Sequence, residues 1–70
     1  MPEMIYVDSS NIEAIGYEDS TRELHVKFLS GGYYIYQEVP RQIFDDLMMA
    51  PSKGSFLNRE VKSIYNYTKQ

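Results

Sequence analysis

The chain has no cysteine, no tryptophan and one histidine, and its longest apolar run is Leu47-Met48-Met49-Ala50. Each scarcity removes a class of protein. Without cysteine there is no disulfide framework, thiol nucleophile or Cys-based zinc site. A single histidine, His25, rules out a His-rich metal centre. The apolar run falls far short of the roughly 20 residues that a membrane span requires. The start, Met1-Pro2-Glu3-Met4-Ile5-Tyr6, has neither a basic region nor a continuous apolar stretch, so no secretory leader is expected. Asn66-Tyr67-Thr68 fits the glycosylation sequon, which has no consequence without export. By elimination the protein is expected to be cytoplasmic, without membrane, metal or cofactor.

What the chain does have is tyrosine. Seven Tyr and three Phe in 70 residues, with 43% hydrophobic residues overall, argue for a folded domain rather than a disordered tail. The length predicts one domain, residues 1–70 with a core of about 7–65, near the lower limit for a core without staples. The net charge of −3 conceals a split. Residues 1–50 set Arg22, Lys27 and Arg41 against nine acidic residues, whereas residues 51–70 set Lys53, Arg59, Lys62 and Lys69 against Glu60 alone. A basic end on an acidic body either meets an external anion or is drawn onto the body within the fold.

Strand signals come first along the chain. Ile12 to Glu18 reads as a short strand, with Ile15 and Tyr17 on one side and Ala14 and Gly16 on the other. Asp19-Ser20-Thr21-Arg22 is a turn whose short polar side chains bond their own backbone. Glu23, His25 and Lys27 then alternate with Leu24, Val26 and Phe28, the mark of a half-buried antiparallel strand. Ser30-Gly31-Gly32 supplies the positive φ that a tight hairpin needs. Tyr33 to Val39 follows as a third strand, rich in aromatic and β-branched residues. Pro40 stops it and suits the opening of a helix.

From Arg41 the period changes. Ile43, Phe44, Leu47 and Met48 form a helical stripe, with Asp45 and Asp46 facing away. Pro51 ends this helix. Ser52 or Ser55 caps a second helix with a stripe of Phe56, Leu57, Val61 and Ile64, and Asn66 to Gln70 are expected to fray. The predicted fold is α+β: a three-stranded antiparallel β-meander followed by two helices packed on one face. Its core is Ile15, Leu24, Val26, Phe28, Ile35 or the Tyr34/Tyr36 pair, Phe44, Leu47, Phe56, Leu57 and Val61.

Candidate chemistry is sparse. His25 lies near Asp19, Ser20 and Ser30, but no nucleophile-turn motif accompanies it, and the polar face of its strand predicts a solvated side chain. Asp45 and Asp46 diverge by about 100° on a helix and do not chelate together. Lys53-Gly54-Ser55 reverses the order of a phosphate loop. It still presents a cation and backbone N–H groups at a helix opening, unless Gly54 only eases the inter-helix turn. Tyr33, Tyr34 and Tyr36 share one strand. Exposed rings there would stack on unpaired bases, and buried ones would be core residues with hydroxyls at the rim.

Taken together these residues resemble the KTSC domain, a module of this length named for its place at the C-terminus of some lysyl-tRNA synthetases. The resemblance rests on Ser9-Ser10-Asn11-Ile12 through Ile15-Gly16-Tyr17, the Gly31-Gly32 turn and the Tyr34-Ile35-Tyr36 YxY motif. Val39-Pro40 and Ala50-Pro51-Ser52-Lys53-Gly54, continuing through Phe56 to Asn58, complete it over residues 7–65. It implies a non-catalytic module, with RNA as the suggested ligand, and carries over Tyr34, Tyr36, Lys53, Gly54, Phe56 and Asn58. The acidic body departs from that picture unless the cations cluster. The expected activity is therefore RNA binding, with Tyr34 and Tyr36 stacking on bases. Lys53, Arg59 and Lys62 would contact phosphates, with Gly54 and Asn58 beside them. Ser9 and Ser10 would fix the loop before the first strand. The competing expectation is a protein-interaction or self-associating module that uses exposed tyrosines as anchors.

Overall fold

The computed structural model describes residues 2–70. Five antiparallel strands form one sheet in sequence order: β1 (Ile5–Tyr6), β2 (Ile12–Glu18), β3 (Glu23–Phe28), β4 (Tyr33–Tyr36) and β5 (Tyr67–Lys69). Between β4 and β5 the chain forms α1 (Arg41–Met49) and α2 (Lys53–Leu57), and α2 continues into a π-helical turn at Asn58–Lys62. The α+β class stands, but the sheet has five strands and not three. The two extra strands are its edges. They have two and three residues, too few for alternation to show in the sequence. Residues expected to fray at the end of the chain are instead held on β4, Tyr34 opposite Lys69 and Tyr36 opposite Tyr67.

Where alternation is strong, the strand limits follow it. β2 and β3 have the predicted bounds, and register places Ile15 against Val26 and Tyr17 against Leu24 on the face that packs against the helices. Ile12 is also fully buried, although it lies three residues from Ile15 and alternation would turn it outward. A register shift between Ile12 and Ala14 explains this, because the extra residue, Glu13, rotates Ile12 back to the core opposite Phe28. The predicted third strand is shorter than expected. Glu38 adopts a left-handed φ of 54°, which breaks the strand after Tyr36 and turns Val39 into the core.

The first helix, α1, docks on the sheet through an aromatic clamp. Tyr17 and Phe44 stack with centroids 5.4 Å apart, and the Arg41 guanidinium lies over both rings, 5.8 and 5.4 Å from their centroids. Arg41 also donates to Asp19 at 2.8 and 3.0 Å and to Asp45 one turn along α1 at 3.3 Å. The Tyr17 hydroxyl donates to the Val39 carbonyl, which ties β2 to the segment that opens α1. Ser52 caps α2, accepting from the Ser55 N–H. Of the predicted core, Ile15, Leu24, Val26, Tyr36, Phe44, Leu47, Leu57 and Val61 are buried, whereas Phe28, Phe56, Tyr34 and Ile35 are half-buried.

Two further expectations fail. The π-helical turn takes up an additional residue per turn. Tyr65, not Ile64, therefore follows Leu57 and Val61 onto the core, and Ile64 is 62% exposed. His25, predicted to be solvated, is only 4% exposed. Its side of the sheet is covered by residues 2–4, which cross β2 at Gly16, the residue paired with His25.

The π-helical register gives a direct comparison. Leu57→Ala should lower unfolding stability by about 2–5 kcal/mol, and Ile64→Ala should stay within about 0.5 kcal/mol of the parent. Urea denaturation followed by circular dichroism measures both, and comparable losses would place Ile64 in the core after all.

Candidate nucleic-acid interface

Strand pairing gathers the aromatic residues. β4 projects Tyr34 and Tyr36 to the helix side of the sheet, and β5 adds Tyr67 beside Tyr36 and Lys69 beside Tyr34. Ring centroids are 6.4 Å apart for Tyr34–Tyr36, 5.3 Å for Tyr34–Tyr67 and 5.8 Å for Tyr36–Tyr67. Phe28, from β3, meets Tyr34 edge-on at 5.4 Å. All four spacings are those of mutually attractive rings. Two ammonium groups complete the cluster, with Lys62 Nζ 5.3 Å from the Phe28 centroid and Lys69 Nζ 5.8 Å from that of Tyr34. The result is an open groove of about 590 Å3 between the β3–β4 turn, the π-helical turn and β5.

The rings are not equivalent. Tyr36 is 1% exposed and forms the floor, Tyr34 is half-buried, and Tyr67 is 56% exposed at the rim. Burial, reinforced by the neighbouring Tyr34 and Tyr67 phenols, pushes the Tyr36 hydroxyl up to about 12. It therefore stays a neutral hydrogen-bonding group across the physiological range. Stacking surface is offered chiefly by Tyr34 and Tyr67, with Tyr36 beneath them.

The structure divides the residues singled out by sequence. Tyr34, Tyr36 and Lys62 line one groove, and Lys53, Gly54, Asn58 and Arg59 do not. Lys53 donates to the Ala50 carbonyl at 3.3 Å, where its charge complements the C-terminal end of α1. Gly54 is packed against the loop before β2, and a Cβ there would lie 2.6 Å from Asn11 Oδ1. Asn58 is exposed at the junction of α2 and the π-helical turn. Arg59 bonds Glu60 at 3.1 Å and lies over Phe56, beside a separate hollow that includes Asp46 and Ser52. Ser9 accepts from the Ile12 N–H at 3.3 Å, in the loop that leads to β2. Among the described residues no ion pair joins residues 51–70 to residues 1–50.

Phe28, Tyr67 and Lys69 are the aromatic and charged groove residues that sequence reasoning missed. Alternation along β3 assigns Phe28 to the core. The signal for the others was the alternation Tyr67-Thr68-Lys69, which is too short to stand out from a frayed end. Among the described residues no cluster of three or more His, Asp or Glu side chains is placed to hold a metal ion. No described helix is long and apolar enough to cross a membrane.

The described residues thus form a small α+β domain built on one five-stranded antiparallel sheet. Residues 8–65 match the KTSC domain, and the chain belongs to that family. A KTSC domain protein from Yersinia pestis has a closely similar structure, with a TM-score of 0.96 at 33% identity, covering 100% of this chain and 99% of that one. A protein from Tsukamurella paurometabola is 48% identical over 56 residues, which is 80% of this chain and 84% of that protein. A lysine–tRNA ligase from Nostoc punctiforme is 37% identical over 60 residues, covering 86% of this chain. The chain spans only 11% of the length of that ligase. The family match indicates no catalytic class.

The raised Tyr36 hydroxyl sets a pH dependence. A buried neutral phenol contributes stability in full below its ordinary value of about 10, and that contribution is lost as pH rises towards about 12. In an alkaline absorbance titration the parent should show a final tyrosinate component near 12 that Tyr36→Phe removes. A parent curve already complete by about pH 11 would contradict this environment.

Proposed function

We propose that this KTSC domain is a binding module, not a catalyst, and that its ligand is unpaired RNA held in the tyrosine groove. The observation that carries the reading is the convergence of Tyr34, Tyr36, Tyr67 and Phe28 with Lys62 and Lys69 on one open surface. Unstacked bases find aromatic partners on such a surface, and their phosphates find cations beside them. A duplex hides its base faces and would bring a dense row of phosphates against an acidic body. Single strands are therefore favoured. Occurrence of a related segment in a protein named lysine–tRNA ligase is consistent with an RNA ligand.

Lys62 and Lys69 are the phosphate contacts in this reading, and Lys53 and Arg59 are not, because each is engaged elsewhere. Fluorescence anisotropy with a labelled oligouridylate of about ten nucleotides tests it. Binding at low salt should weaken with ionic strength with a log–log slope of about −1.4, or about −0.7 for each lysine. Tyr67→Ala should cost about 5- to 150-fold in affinity, the value of one stacked base. Lys62→Ala combined with Lys69→Ala should flatten the salt dependence, whereas Lys53→Ala and Arg59→Ala leave it unchanged. No binding at low salt, or binding indifferent to both groove lysines, would sink the proposal. A salt-insensitive increase of mass with concentration in light scattering would point instead to protein association through exposed tyrosines.

A further inference from the structure

The opposite face of the sheet holds a feature the groove does not use. Residues 2–4 cross β2 at Gly16, where a Cβ would lie 2.7 Å from Met4 Sδ, 2.8 Å from the Glu3 carbonyl oxygen and 3.3 Å from Pro2 Cγ. Only a glycine admits so close a crossing. Beneath it lies His25, the cross-strand partner of Gly16. Its Nδ1 shares a hydrogen bond of 2.8 Å with the Tyr33 hydroxyl, which is 3.6 Å from Met4 Sδ. Its Nε2 is sealed from solvent and has no hydrogen-bond partner. Glu23 Oε1, 3.8 Å away, is close enough to attract a charged ring and too far to bond a neutral one.

We propose that residues 2–4 form a latch closed over neutral His25, and that protonation of His25 opens it. A charged imidazolium in this setting has no acceptor within bonding distance of Nε2 and little water, so charging is easier once the segment above it lifts. Proton and latch are therefore linked, and whichever state solvates His25 binds the proton more tightly.

The surrounding charges set the balance. Glu23 lies on the same strand, and Glu18 stands directly opposite Glu23 on β2. Burial, the largest influence, opposes the imidazolium, whereas both glutamates favour it. From β4 the facing group is Tyr33, a phenol that burial also keeps neutral. Lys27, farther along β3, is engaged with Glu13 at 3.9 Å. The net effect holds His25 below its ordinary value. The sign follows directly: closure is fully favoured above the ordinary histidine value of about 6.5 and weakens as pH falls below it.

Methionine methyl and histidine ring NMR follow both partners in the intact chain. The His25 ring proton is unambiguous, because the chain has one histidine. On lowering pH the Met4 methyl should move towards the position of a free methionine with the same midpoint as His25. Met48, packed against the core on α1, should stay in place. In His25→Phe the Met4 signal should no longer respond to pH. In Gly16→Ala, where the crossing is blocked, Met4 should be free at every pH and His25 should titrate near its ordinary value of about 6.5. A Met4 signal that ignores His25 titration would overturn the latch. So would a transition that persists in His25→Phe, or one in which Met48 moves together with Met4. If His25→Phe does not fold, the Gly16→Ala histidine titration decides alone.

Discussion

Pairing between β4 and β5 decides what this small protein buries and what it leaves open. β4 has four residues and would be a sheet edge without the returning chain. Once β5 is in place, Tyr36 is flanked by Leu24 on one side and Tyr67 on the other, with the helices packed across the same face. The same pairing brings Lys69 over Tyr34. A domain of this size has little apolar surface to spare. Using one row of tyrosines as core at one end and groove at the other lets a few side chains meet both demands.

Charge placement follows a similar economy. Arg41, Lys27 and Arg59 are each drawn to a carboxylate nearby. Lys62 and Lys69 lean on aromatic rings instead. A ring holds an ammonium group without neutralising it, so these cations keep their charge available to an arriving anion. The net charge of −3 therefore says little about the groove, whose local sign is positive.

The sequence was most legible where one simple period ran unbroken. β2, β3 and α1 have the limits their patterns predict, because each has enough residues to show alternation or a stripe. Elsewhere a single backbone irregularity changed the outcome. The extra residue at Glu13 hid Ile12 from the predicted core, Glu38 shortened β4, and the π-helical turn exchanged Tyr65 for Ile64. His25 was misplaced for another reason, since what covers it comes from residues distant in sequence. In the groove, the tyrosine pair and Lys62 could be read from their segments. Tyr67 and Lys69 could not, because they matter only after a long return of the chain.

The short edge made by β5 has one more consequence. Gln37 donates to the Asn66 carbonyl and Gln70 to that of Tyr33, so by alternation Ile35 and Thr68 share the inward hydrogen bonds. The backbone groups of Tyr67 and Lys69 consequently point away from the sheet, beside the side chains that line the groove. An open row of donors and acceptors invites another strand to add to it. Here the row is three residues long and carries a lysine, both of which discourage such growth. The protein can thus present an aromatic surface at the border of its sheet without making that border a seed for strand-by-strand growth.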